Sequence, residues 1–263
     1  MSAQRAIFMV ALTICLSSCR STNSQQEIKE AEAPISSIQS ESEFKQWFAY
    51  YYVEKNHHNF YDAMIYMQEN KYFIEYPGIT STFISIVFRD NPEEIDKWLT
   101  DFEDLNPKSW NIILASLWMS GEENAANRIR MHIKKADPEK QKHFDSLATS
   151  GAKTLDFTAY PIKEPKHLNI LWSAFSATGD PAYVRRVISL ITNYGGEDDI
   201  SMSSKIAEAA LMTLANNTMQ HELVAMTCLH EMHSHENPKT RLLLQSMFNA
   251  VNSYLEDSDK PQD

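Results

Sequence analysis

The chain has 263 residues, 43% of them hydrophobic, with 24 basic against 35 acidic side chains and a formal net charge of −11. That length can bury a sizeable core in one domain or in one array of repeats. The acidic balance repels phosphate backbones and argues against a nucleic-acid partner. With three cysteines, a disulfide-stapled scaffold is also excluded.

Residues 1–18 have three parts. Arg5 precedes an apolar run over residues 6–16, and small residues follow. A run this short does not cross a bilayer, so the pattern predicts a secretory signal peptide over residues 1–18 rather than a spanning helix. Its end, Leu16-Ser17-Ser18-Cys19, resembles the lipobox of bacterial lipoproteins. The resemblance implies cleavage before Cys19, diacylglycerol on its thiol and acylation of the new amine. Cys19 is therefore the expected lipidation site, and attachment to the membrane is expected through acyl chains, each buried methylene contributing about 0.8 kcal/mol. Arg20 follows. In enteric-type lipoproteins an Asp at that place tends to retain the protein in the inner membrane, so the resemblance implies the outer membrane, facing the periplasm. Removing residues 1–18 takes away one charged side chain, Arg5, and leaves 23 basic against 35 acidic, a formal charge of −12. Cys15 leaves with the signal. Cys228 is then the one thiol of the body, expected as a small buried hydrophobe between Met226 and Leu229.

Residues 19–40 are polar, lack aromatics and show no apolar period, which predicts a flexible tether with a reach of roughly 25 Å. From Glu41 the chain predicts helix throughout, as one domain over residues 41–256, with a disordered tail at 257–263. The punctuation is the evidence. Asn91-Pro92, Asn106-Pro107, Asp137-Pro138, Asp180-Pro181 and Asn237-Pro238 each pair a side-chain acceptor for free amides with a proline that needs no amide bond. Gly78, Gly121, Gly151, Gly179, Gly195 and Gly196 fall between apolar runs, where helices stop. Residues 79–88 have strand-like content, yet Phe83, Ile84, Val87 and Phe88 follow helical spacing, so a helix is predicted there too.

An internal repeat carries the architecture. Residues 109–133 and 167–191 align without a gap. Asn111 matches Asn169, Gly121 matches Gly179, Arg128 matches Arg186 and Ile133 matches Ile191. Trp110, Ile113, Leu114 and Leu117 make a stripe that Leu168, Leu171, Trp172 and Phe175 repeat. Each unit is thus helix, glycine turn, helix with one apolar face. A weaker third pair is expected over residues 204–228, turning at Asn216-Asn217. A helix pair cannot bury its stripe alone, so an all-α, irregular, solenoid-like array of antiparallel pairs is the expected fold. The style over residues 58–235 resembles the helical-repeat superfamily that includes tetratricopeptide and Sel1-like repeats, although the repeat offset and the signature positions differ from a tetratricopeptide unit.

Candidate chemistry is sparse. His221, His230, His233 and His235 lie near Glu222, Glu231 and Glu236. The zinc-protease pattern fails because Ser234 stands four residues after His230. His230 and His233 share a helix face and are the candidate metal ligands; a polar helix end is the plainer account. His57-His58 reads as a solvated helix end. Ser42 and Lys45 have the Ser-x-x-Lys spacing of a serine nucleophile and its base, but its partner motifs are missing and Ser42 serves better as an N-cap. No Gly-rich phosphate loop or nucleophile elbow occurs, so no cofactor is expected. Aromatics crowd residues 47–76. Tyr50 and Tyr52 are the candidate interface residues, although packing at the end of the array is the plainer account. Together these predict a lipid-anchored envelope protein that binds or assembles another envelope protein without catalysis; the alternative is a metal-binding protein or hydrolase using the histidines of residues 221–236.

Overall fold

The computed structural model describes residues 37–196 and 198–258, with side chains described through residue 256. The signal and Cys19 lie outside the described residues. Thirteen α-helices and no strand are present among them. In chain order they are α1 (Glu41–Glu54), α2 (Phe60–Glu69), α3 (Tyr72–Glu75), α4 (Pro77–Asp90), α5 (Ile95–Asp101), α6 (Pro107–Ser120), α7 (Ala125–His132), α8 (Pro138–Ser150), α9 (Leu168–Thr178), α10 (Pro181–Ile191), α11 (Met202–Gln220), α12 (Glu222–Ser234) and α13 (Pro238–Ser258). The fold is an all-α helical array. No helix among the described residues is long and apolar enough to cross a membrane.

The centre is α4. Residues 80–88 are all buried, so this helix is enclosed on every side rather than presenting one apolar stripe. Its β-branched residues disfavour a helix intrinsically, but the surroundings override that preference. α6 packs on it from one flank, α9 from another, and α1 packs on α9. Burying the hydroxyls of Thr80, Ser81 and Ser85 costs little because they find nearby backbone carbonyls: Thr80 donates to Tyr76 at 3.0 Å, Ser81 to Gly78 at 3.3 Å and Ser85 to Thr82 at 2.8 Å. The neighbours bond to its backbone as well. Ser173 of α9 donates to the Ile79 carbonyl at 2.7 Å, and Ser116 of α6 to the Ser81 carbonyl at 3.2 Å. Phe83 takes the aromatic end of α1, with its ring 5.4 Å from Trp47, 4.6 Å from Phe48 and 5.1 Å from Tyr51.

The two repeat units are α6–α7 and α9–α10, and each turns on a left-handed glycine. Gly121 has φ 69° and Gly179 φ 70°, a conformation that a side chain resists. Both units rest on α4, which stands between them, with α8 closing the first and α11–α13 extending the second. The matched arginines differ in surroundings. Arg128 is buried against Asp96 of α5 and Glu122, whereas half-buried Arg186 donates to Ser189.

Several local expectations are corrected. Asn91-Pro92 does not open a helix: Asn91 ends α4, its side-chain Nδ2 donating back to the Val87 carbonyl at 2.8 Å, and α5 begins only at Ile95. Gly78 lies in the first turn of α4, where an added methyl would stand 3.8 Å from Ile170, rather than after a helix. Helix α11 runs through Asn216-Asn217, where the Asn217 side chain donates to the Thr213 carbonyl, and the turn comes at His221. The cap of α1 is Ser40, not Ser42. Ser40 and Glu43 form a capping box, the Glu43 carboxylate taking the Ser40 hydroxyl at 2.8 Å and the Gln39 amide at 2.9 Å. Ile38, within the segment read as tether, is buried.

Candidate functional site

An open cleft of about 750 Å³ lies where the end of α1 and the turn after it face α5. Local chemistry forms its wall. Lys55 leaves α1 in the left-handed conformation, φ 44°, its amide donating to the Tyr51 carbonyl at 2.7 Å. The reversed chain is held by Trp47, whose indole donates to the Asn56 carbonyl at 3.2 Å. Asn56 then caps a 3-10 turn by accepting from the His58 amide. This reversal brings His57 back to α1, with Nδ1 2.8 Å from the Tyr51 hydroxyl. Below lies Trp98 of α5, buried against Phe60 at 4.6 Å and 6.1 Å from the His57 ring. The floor is thus anchored in the core while the rim is charged.

The rim carries Glu54, Glu94 and Asp101 with Lys55 and Lys97, and Tyr61 and His58 complete the lining. Burial pushes the His57 imidazole below its ordinary range, with Lys55 adding to that and Glu94 and Glu93 opposing it. Burial also raises the Tyr51 phenol. A neutral imidazole held by a protonated phenol is fixed in orientation, and Nε2 is its remaining polar atom. Among the described residues no serine, threonine or cysteine lines the cleft.

Tyr50 and Tyr52 point elsewhere, to a sealed histidine. His221, between α11 and α12, is 3% exposed. Tyr52 reaches its Nδ1 at 3.4 Å, Tyr50 lies 4.8 Å from its ring, and Phe175 stands edge-on at 5.6 Å. The Tyr50 hydroxyl also donates to the Gln220 carbonyl at 2.8 Å. Burial pushes His221 down to about 4 and raises the Tyr52 phenol. These two tyrosines tie the first helix to the α11–α12 turn.

The other candidates do not converge. His230 and His233 are exposed on α12. Glu231, between them, pairs with Arg185 at 3.1 Å, and His235 accepts from the Asn237 amide at 3.1 Å. Among the described residues no group of three or more His, Cys, Asp or Glu is placed to hold a metal ion. Lys45 pairs with Glu41 at 2.7 Å. Cys228 is buried and its thiol is pushed up to about 12 by burial, which makes it unreactive.

No family model matches the chain, and no curated protein or solved structure is detectably similar to it.

Sequence reasoning missed His57. Adjacent histidines look like a solvated end, and the signal that His57 folds back is the left-handed residue at Lys55, which no residue type announces. The Asn56 cap two residues before His58 was the one available hint.

Proposed function

We propose that this is a lipid-anchored envelope protein, attached through Cys19 and facing the periplasm from the outer membrane, that acts as a non-catalytic interaction module. The anchor rests on Leu16-Ser17-Ser18-Cys19 behind its apolar run. The observation that carries the interaction reading is the cleft between α1 and α5, with a fixed aromatic floor and a rim of both charge signs. A pre-formed concave surface of this kind favours binding because its ordering cost is met in folding.

Two measurements test this. Labelled palmitate should enter the wild-type chain and not Cys19→Ala, and crosslinking in intact cells should trap a specific envelope protein only when Cys19 is present. An unlabelled wild-type chain would defeat the anchor. Cell-wide failure to crosslink any protein, with labelling intact, would defeat the interaction module.

A further inference from the structure

The charges around the cleft are not equivalent. Glu94 and Lys97 lie 4.0 Å apart, one turn along the chain, and offset each other. Glu54, Asp101 and Lys55 line the same space with no ion pair among the described residues. An occupant that complements the rim therefore carries more positive than negative charge, with at least one of each. The chain's own net charge of −11 attracts such a molecule and repels an acidic one. A simple polyamine fits less well, because it leaves the Lys55 ammonium facing like charge.

Lys55 adds an independent observation. Positive φ occurs at four described glycines but at two other residues, Lys55 and Lys71. An L side chain in that conformation costs roughly 1 kcal/mol. Glycine would serve the reversal better, so what this position gains from lysine is the ammonium, placed at the cleft.

We propose that the cleft binds a short peptide of net positive charge that ends in a free carboxylate. Its basic side chains lie along His57 and Tyr61 with their charges on Glu54 and Asp101, and its carboxylate meets Lys55. The cleft volume of about 750 Å³ falls within the range of roughly 300–1,000 Å³ common to small-ligand sites. This inference rests on the reading of the chain as an interaction module and is independent of the lipid anchor.

The test is a calorimetric titration of the full chain in detergent, at neutral pH and low salt, with three probes: dilysine, dilysine C-terminal amide and diglutamate. Dilysine should bind, the amide about threefold to fivefold more weakly, the size of a partly screened ion pair, and diglutamate not at all. Combining Glu54→Gln with Asp101→Asn should weaken dilysine about tenfold. Lys55→Gly should erase the difference between acid and amide while raising the thermal midpoint, a combination that a merely structural lysine does not give. No binding of dilysine up to about 10 mM, equal binding of diglutamate, or an acid–amide ratio unchanged by Lys55→Gly overturns the proposal. A failed titration with intact palmitate labelling and crosslinks removes the cleft ligand alone. Lost labelling with a normal titration removes the anchor alone.

Discussion

Two tyrosines next to each other on α1 each hold a histidine, with opposite outcomes. Tyr51 bonds to His57, which stays half-buried at an open cleft. Tyr52 reaches His221, which is sealed by Tyr50 and Phe175. Neighbouring positions on a helix point about 100° apart, so one turn of α1 serves two flanks. On one flank its partner is six residues away and the contact shapes a surface. On the other the partner is 169 residues away and the contact joins the first helix to the far part of the array. The same pair of side-chain types thus builds a receptor wall where one ring is left open and a structural fastening where a third ring closes over it.

The largest effect should come from crowding the sealed side. A methyl at Gly179 would stand 2.5 Å from Tyr52 Cδ2, at φ 70°. Gly179→Ala should therefore cost about 2–4 kcal/mol in urea unfolding, the sum of left-handed strain and overpacking. In a Tyr52→Ser background only the strain remains, and the cost should fall to about 1–2 kcal/mol. Strict additivity of the two substitutions would mean that the Tyr52 ring is not what Gly179 accommodates.

Next in size is the response to acid. His221 ordinarily titrates near 6.5 and is held to about 4 in the folded protein. Between those values the unfolded chain binds a proton that the folded chain does not, so stability falls as pH drops through that window and levels off below it. The loss reaches up to about 3 kcal/mol. His57 and His132 are lowered as well, by burial first, and add in the same direction. Tyr50, Tyr52 and Phe175 face His221, and burial, not a charge, is the cause acting on it. Comparing wild type with His221→Gln isolates its share: the variant should lose less stability between pH 6.5 and 4. Parallel curves would show that the cage does not keep His221 neutral.

What could be read in advance follows from how local each cause is. The starts of α6, α10 and α13 were legible because Asn106, Asp180 and Asn237 each accept from an amide two residues on. Asp137 marks a start too, although its carboxylate takes the Asn111 side chain at 2.6 Å instead of capping. Asn91 and Asn217 misled because an asparagine can equally bond to the carbonyl four residues behind it. That residues 79–88 are helical was legible from the spacing of Phe83, Ile84, Val87 and Phe88, despite the β-branched content; that α4 is enclosed on every side was not. Nor was the candidate site. His221 depends on partners far away in sequence, and the cleft depends on a left-handed lysine that composition does not flag. Tyr50 and Tyr52, read as interface candidates, here meet the chain's own Gln220 and His221.

The smallest effect separates the two tyrosines most cleanly. Tyr51→Phe and Tyr52→Phe each delete one hydroxyl and keep the ring, so each should cost about 0.5–1.5 kcal/mol, the net size of a single hydrogen bond. The 3.4 Å contact of Tyr52 is longer than the 2.8 Å contact of Tyr51, which puts Tyr52→Phe at the lower end. Their consequences at the cleft should differ in kind. Without the Tyr51 hydroxyl, His57 keeps only its tilted ring contacts with Tyr51 and Trp98 and its ring is free to turn, so its NMR titration should shift and dilysine binding should weaken. Tyr52→Phe should leave the His57 titration where it is. If both variants move His57 alike, the two flanks of α1 are coupled, and the open and sealed histidines are one unit instead of two.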